Sequence, residues 1–150
     1  MSEPKLSEKM SPTALEHAQR YIETNGAEGH MWQVKDAPKP MATLLLTTSG
    51  RITGQRYINP LLYGTSGRNF VIVASRGGAP VNPGWYKNLV ANPEVDFQVG
   101  PKKYSGRART ASGAERAALW KLMTEVFPTY IQYQERAAAR ELPVIVLEPV

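Results

Sequence analysis

From Ala42 to Thr110 the chain is a succession of short apolar and β-branched runs, cut apart by glycine and proline, with one helical stretch among them. Ala42 to Thr48, Tyr57 to Tyr63, Asn69 to Ser75 and Tyr104 to Thr110 read as strands. Val95, Phe97 and Val99 alternate with Asp96 and Gln98, the pattern of a half-buried strand. Pro60 has no amide hydrogen, so its run must lie at a sheet edge or a bulge. Gly64-Thr65-Ser66-Gly67 is a turn, and the runs on either side of it are expected to pair as a hairpin. Pro143 to Leu147 supplies the last strand. About six short strands joined mostly by turns do not make a βαβ repeat; they predict a mainly β chain, an antiparallel barrel with peripheral helices.

The helices carry their own signals. Ser11-Pro12 suits an N-cap and first helical position, Ala14, Leu15, Ala18, Tyr21 and Ile22 follow at helical spacing, and Asn25-Gly26 stops the run. The ten residues before this helix look loose, and Gly26 to Pro40 reads as a loop. Asn82-Pro83 opens a helix through Trp85, Leu89 and Val90 to Ala91. Ser112-Gly113-Ala114-Glu115 is a capping box for a helix that buries Ala118, Leu119, Leu122 and Val126. Pro128-Thr129 begins another, through Tyr130 and Tyr133 to about Arg140.

With 150 residues the chain is long enough for one domain with a proper core. It has no cysteine, which excludes disulfides, a thiol nucleophile, iron–sulfur clusters and thiolate zinc sites. His17 and His30 read as surface or loop residues, too few for a histidine metal site. The start of the chain has no apolar signal core, and Leu44-Leu45-Leu46 is far too short to span a bilayer, so a soluble, cytoplasmic protein is expected. Charge is unevenly placed. Residues 51–109 hold nine basic side chains against Glu94 and Asp96, whereas the segments before and after are each slightly acidic. Such clustering suits either an anionic partner or a solvated basic face.

No Walker A loop, GxGxxG, GxSxG elbow, HExxH or paired-carboxylate pattern is present. Chemistry, if any, falls to a bound cofactor. Three segments stand out. Thr47 to Arg56 crowds hydroxyls, glycines and two arginines into one connection, which reads as a polar hairpin turn or as a phosphate cradle. Ala74-Ser75-Arg76-Gly77-Gly78 precedes the helix start at Asn82-Pro83-Gly84, a pattern for an anion nest, with Trp85 and Tyr86 either covering a planar ring or packing in the core. Phe127-Pro128-Thr129-Tyr130-Ile131-Gln132-Tyr133 puts two phenols on one helix face, where they either shape a pocket or cap the core.

In this order these segments resemble the deazaflavin-dependent nitroreductase family of actinobacteria, over about Ala42 to Pro149. The matching runs are Leu45 to Gln55, Asn59-Pro60-Leu61, Val71 to Ala79, Asn82 to Pro93 and Pro143 to Pro149; residues 1–40 carry almost no matching motif. The resemblance implies a split β-barrel over 41–150, like that of flavin-mononucleotide-binding oxidases, preceded by an N-terminal helix and loop over 1–40. It implies coenzyme F420, an 8-hydroxy-5-deazaflavin with a phosphate and an oligoglutamate tail. Arg51, Ile52 and Thr53 would lie on the phosphate and tail side, and Tyr57, Ile58, Asn59, Pro60, Leu61 and Leu62 along the deazaflavin. Val73, Ala74, Ser75 and Arg76 would hold its polar edge, and Gly84, Trp85, Tyr86, Lys87 and Asn88 would close the phosphate side at a helix N-terminus.

The implied activity is that of a reductase. Reduced coenzyme gives a hydride from its C5 to an electron-poor acceptor: a quinone, an activated enone or lactone such as a coumarin or aflatoxin, or a nitro-heterocycle. Ser75 would hydrogen-bond the ring or the developing charge, and Tyr130 or Tyr133 would serve as proton donor or pocket wall. Two departures bear on this. Many relatives have Lys where this chain has Ile52, and those that reduce bicyclic nitroimidazoles often have Tyr where it has Phe127. Three alternatives are the same barrel using flavin mononucleotide, a non-catalytic deazaflavin or anion carrier, and a nucleic-acid-binding barrel, the last disfavoured because the aromatics form no regular exposed stripe. The N-terminal helix is open to three readings: packing on the barrel, a lid over the pocket, or peripheral contact with a membrane.

Overall fold

The computed structural model describes residues 3–7 and 9–150. Nine strands form one curved sheet among these residues: β1 (Lys5–Leu6), β2 (Met31–Trp32), β3 (Met41–Ser49), β4 (Arg56–Leu62), β5 (Gly64–Ser66), β6 (Asn69–Val73), β7 (Glu94–Val99), β8 (Lys102–Thr110) and β9 (Val144–Pro149). Four helices flank it: α1 (Pro12–Glu23), α2 (Gly84–Ala91), α3 (Gly113–Val126) and α4 (Thr129–Ala137). The strand order is β1-β4-β3-β7-β8-β9-β6-β5, with β2 beside β3. The end strands do not pair, so the barrel is split. Every strand pair is antiparallel except β1 with β4.

The period of two along each strand sorts side chains into three packed regions. Leu44 and Leu46 of β3, Ile72 of β6, Phe97 of β7, and Ile145 and Leu147 of β9 fill the barrel with Trp85 and Leu89 of α2. Val71, Val73, Val144 and Val146 face the other way, against Leu119 and Met123 of α3 and Tyr130 and Tyr133 of α4. Leu45 alone of its triplet turns outward, to Ala18 and Tyr21 of α1. The continuous apolar runs are therefore strands buried on both faces. Each fully buried aliphatic side chain contributes about 1.5–3 kcal/mol.

Several expectations are corrected. Tyr57–Tyr63 does not pair with Asn69–Ser75: β4 pairs along its length with β3, from Thr43 opposite Leu62 to Ser49 opposite Arg56, and the short β5 takes the place beside β6. The chain changes partner between β4 and β5, where Gly64 runs beneath α3 and an added Cβ would stand 2.7 Å from the Met123 sulfur. Pro60 sits on β4 beyond the part that β1 covers, where no ladder bond is asked of it. The Ser112 hydroxyl makes no capping bond, and the Glu115 carboxylate is taken by the Arg109 guanidinium at 2.5 and 2.8 Å. On α3 the buried stripe is Leu119 and Met123, with Leu122 and Val126 partly covered and Ala118 exposed.

Within the first ten residues, Lys5 and Leu6 are not loose. Lys5 and Leu6 pair with Tyr57 and Ile58, adding a parallel edge strand to the barrel. Nor is His17 a surface residue. It is buried, its Nε2 lies 2.8 Å from the Gly29 carbonyl, and its ring stacks on Trp32 at 4.5 Å between centroids. A carbonyl only accepts, so Nε2 carries the proton, and burial holds the imidazole below its usual pKa. His30 reaches the Tyr63 hydroxyl at 2.8 Å. Tyr21 ties α1 to the sheet: its hydroxyl donates toward the Thr43 and Gln98 carbonyls and accepts from the Gly100 amide at 2.7 Å, and burial pushes it up to about 12. Among the described residues no helix is long and apolar enough to cross a membrane, and no cluster of ligating side chains could hold a metal ion.

Candidate active site

One end of the barrel opens into a cavity of about 690 Å³, bounded by four pieces of chain. The first is the β3–β4 connection. Gly50 donates to the Gln55 carbonyl at 2.7 Å and Gly54 to Gly50 at 3.0 Å, so Arg51, Ile52 and Thr53 stand out at the rim. Asn88 of α2 holds this loop: its buried side-chain oxygen accepts from the Arg51 amide at 3.2 Å and from the Arg51 guanidinium at 2.9 Å.

The second piece is β4. Tyr57, Asn59 and Leu61 line the cavity, while Ile58 packs toward α1 and Leu62 against the α3–α4 cluster. The third is the turn after β6. Ser75 is in the right-handed helical region (φ −82°, ψ −42°), and Arg76, Gly77 and Gly78 all have positive φ. A right-handed residue followed by a left-handed one aims successive amides to one side, as in an anion nest. Positive φ is strained for an arginine, and such strain persists only where neighbours enforce it.

Two neighbours do. Gly78 lies so close to α4 that a Cβ would meet the Tyr133 carbonyl at 2.5 Å. Helix α4 ends at Ala137, where Ala138 takes φ 54°, and this frees Arg140 to reach the same turn. Its guanidinium donates to the Ser75 carbonyl at 2.7 Å, the Ala79 carbonyl at 2.8 Å, the Ala74 carbonyl at 3.1 Å and the Asn82 side-chain oxygen at 2.6 Å. No sequence signal marked Arg140, which is one basic residue at the end of an alanine-rich helix.

The fourth piece is the start of α2. Its N-cap is Pro83, which has no side-chain acceptor to offer the first amides. Gly84 has open space where a Cβ would be, so a ligand can approach the backbone. The unsatisfied amides and the helix dipole together favour an anion there. Four cations, Lys9, Arg51, Arg76 and Lys87, line the cavity, and among the described residues no Asp or Glu does. Leu61, Val73 and Trp85 supply an apolar wall.

The structure thus brings together Arg51, Ile52, Thr53, Tyr57, Asn59, Leu61, Val73, Ser75, Arg76, Gly84, Trp85, Lys87 and Asn88 around one space. It places other expected residues elsewhere. Ile58, Pro60 and Leu62 are not on the lining, as the alternation of β4 requires for side chains opposite to Tyr57, Asn59 and Leu61. Ala74 is buried inside the barrel, and Tyr86 turns to the Thr110 hydroxyl at 2.9 Å. Tyr130 and Tyr133 lie in the aromatic cluster around Phe127, and the Tyr133 hydroxyl donates to the Asp36 carboxylate at 2.5 Å. Burial raises both phenols well above the ordinary tyrosine pKa, and for Tyr133 the Asp36 carboxylate adds to it. Ser7, Lys9 and Met10, which precede α1, join the lining without any motif to announce them.

The model of the F420H(2)-dependent quinone reductase family matches residues 14–149. The chain belongs to that family. The F420H(2)-dependent quinone reductase Rv1261c of Mycobacterium tuberculosis is 40% identical over 134 residues, which span 87% of this chain and 86% of that one. Among solved structures, an F420-H2 dependent reductase (FDR-A) superposes with a TM-score of 0.66 at 38% identity, covering 71% of this chain and 93% of its own. A chain described as a domain-swapped dimer superposes at 0.68 with 36% identity, over 89% and 96% of the two chains. The protein is accordingly an F420H2-dependent oxidoreductase with coenzyme F420 as its cofactor. The residues present fit that group. The cationic rim and uncapped helix start suit its phosphate and acidic tail, and the apolar wall beside the Ser75–Arg76 turn suits a planar ring with a polar edge.

Proposed function

We propose that the enzyme reduces quinones with F420H2, and that the cavity at the open end of the barrel is where coenzyme and acceptor meet. One observation carries this reading: a single cavity joins a cationic rim, an uncapped helix start and an apolar wall beside a serine. When bound, the reduced coenzyme supplies a hydride. The chain's own residues bind, orient and polarise. Arg51 and Lys87 with the first amides of α2 hold the phosphate, and Asn88 fixes the Arg51 guanidinium in place. Tyr57, Asn59 and Leu61 lie along the ring, and the Ser75–Arg76 turn meets its polar edge. The Ser75 hydroxyl donates to the oxygen on which negative charge develops; an oriented donor of this kind is worth about 2.7–4 kcal/mol at best.

The quinone as acceptor is carried over from the family name; work in the cytoplasm, with no more than peripheral contact to a membrane, is part of the same proposal. The same apolar wall suits planar enones and lactones, coumarins and aflatoxins among them, and nitro-heterocycles as further acceptors. The test is a titration of the protein with F420 and with flavin mononucleotide, followed by the rate at which F420H2 is consumed with a soluble naphthoquinone. Tight binding of the deazaflavin alone, with quinone-dependent turnover that falls on Ser75→Ala, is the expected result. Binding of flavin mononucleotide alone overturns the cofactor assignment at this cavity. Binding of F420 without turnover leaves a carrier.

A further inference from the structure

The barrel body gives the cavity three cations, Arg51, Arg76 and Lys87. The fourth comes from a different part of the chain. Ser7, Lys9 and Met10 reach the cavity because β1 docks on the edge of β4 at Tyr57 and Ile58. The Ser7 amide donates to the Ile58 carbonyl at 3.4 Å, and Leu6 and Met10 pack with Ile58 against the cluster of Ala18, Tyr21 and Leu45. This apolar footing anchors Leu6 and Met10, and the Ser7 amide bond adds to it. These residues precede the segment 14–149 that the family model matches. On the same rim Ile52 is 87% exposed and bears no charge.

We propose that Lys9 is a coenzyme-binding residue, and that the N-terminal strand serves to carry its ammonium to the cavity rim, where it meets the acidic tail of F420. The proposal rests on the assignment of this cavity to F420. A carboxylate tail is flexible and solvated, so its recognition is by point charges near a rim rather than by a closed pocket, and lysine suits that role. The contribution is that of a solvent-exposed ion pair, and it is screened by salt.

The experiment is a fluorescence titration of the full chain with F420 and with the tail-less deazaflavin core, at low and high ionic strength. Lys9→Gln is expected to weaken F420 binding about three- to fivefold at low salt. The loss shrinks at high salt, and affinity for the tail-less core does not change. Lys9→Gln with Ile52→Lys, which returns a cation to the same rim, is expected to recover the affinity. Unchanged F420 binding by Lys9→Gln at low salt overturns the proposal, as does an equal loss for the tail-less core. Failure of the unaltered protein to bind F420 at all is a separate outcome, which removes the cavity assignment itself.

Discussion

Strand β6 is covered on both faces, with Ile72 toward the barrel interior and Val71 and Val73 against α3 and α4, whereas every residue of β4 is only partly buried. Both are strands of one sheet. The first is closed off by helices on one side and by the opposing wall of the barrel on the other. The second has α1 behind it and open space in front, lined by Tyr57, Asn59 and Leu61. A half-covered strand in the middle of a well-packed domain marks where the fold leaves room for a ligand. No residue of α3 or α4 lines that space, although their side of the sheet is rich in aromatic rings.

That contrast can be broken in several ways. The largest effect is expected within the doubly covered strands. Ile145→Ala empties a fully buried site and should lower unfolding free energy by about 2–5 kcal/mol, read from urea denaturation. Arg140→Ala attacks the cavity through its support: it takes the guanidinium donor from the carbonyls of Ala74, Ser75 and Ala79, leaving Ser75 only the Gly78 amide, and should cost about 1–3 kcal/mol of stability. It should also weaken F420 binding, because the Ser75–Arg76 turn loses its brace. Asn88→Ala should affect binding more than folding, with F420 affinity falling by about 1 kcal/mol, roughly fivefold, because the Arg51 guanidinium loses the acceptor that orients it along the rim.

A smaller effect follows from His17. Burial holds its folded pKa below 6.5, so the unfolded chain binds the proton first as pH falls. Its contribution is fully present above pH 6.5 and is lost below it, so the urea midpoint should drop between pH 7.5 and 5.5, and His17→Gln should flatten that slope. The smallest change is expected from Tyr130→Phe. Its ring is packed with Phe127 and Tyr133, away from the cavity lining, so quinone turnover should stay within about twofold of the unaltered enzyme, a difference of under 0.5 kcal/mol. A drop of a hundredfold would move the reacting acceptor to the α4 side of the barrel.

The longer strands, the helices and their order were legible, unlike the short β1, β2 and β5, because periodicity and turn residues act locally: the alternation of β7, the glycine and proline stops, and the Ser11 cap of α1, whose hydroxyl accepts from the Ala14 amide at 3.2 Å. The basic, glycine-rich β3–β4 loop and the start of α2, both on the cavity lining, could be singled out for the same reason. What the sequence by itself could not settle was which pieces meet. Glu115 was free to cap α3 until β8 placed Arg109 beside it. His17 looked like one more polar helix position until α1 turned it toward Gly29 and Trp32. Tyr130 and Tyr133 carry the same phenols whether they face a pocket or a core, and only the packing of α3 and α4 on β6 and β9 decided for the core. Lys9 and Arg140 reach the site from opposite ends of the chain, in segments without a motif. Local chemistry chooses the elements, but long-range burial of apolar faces decides which polar groups are left facing one another.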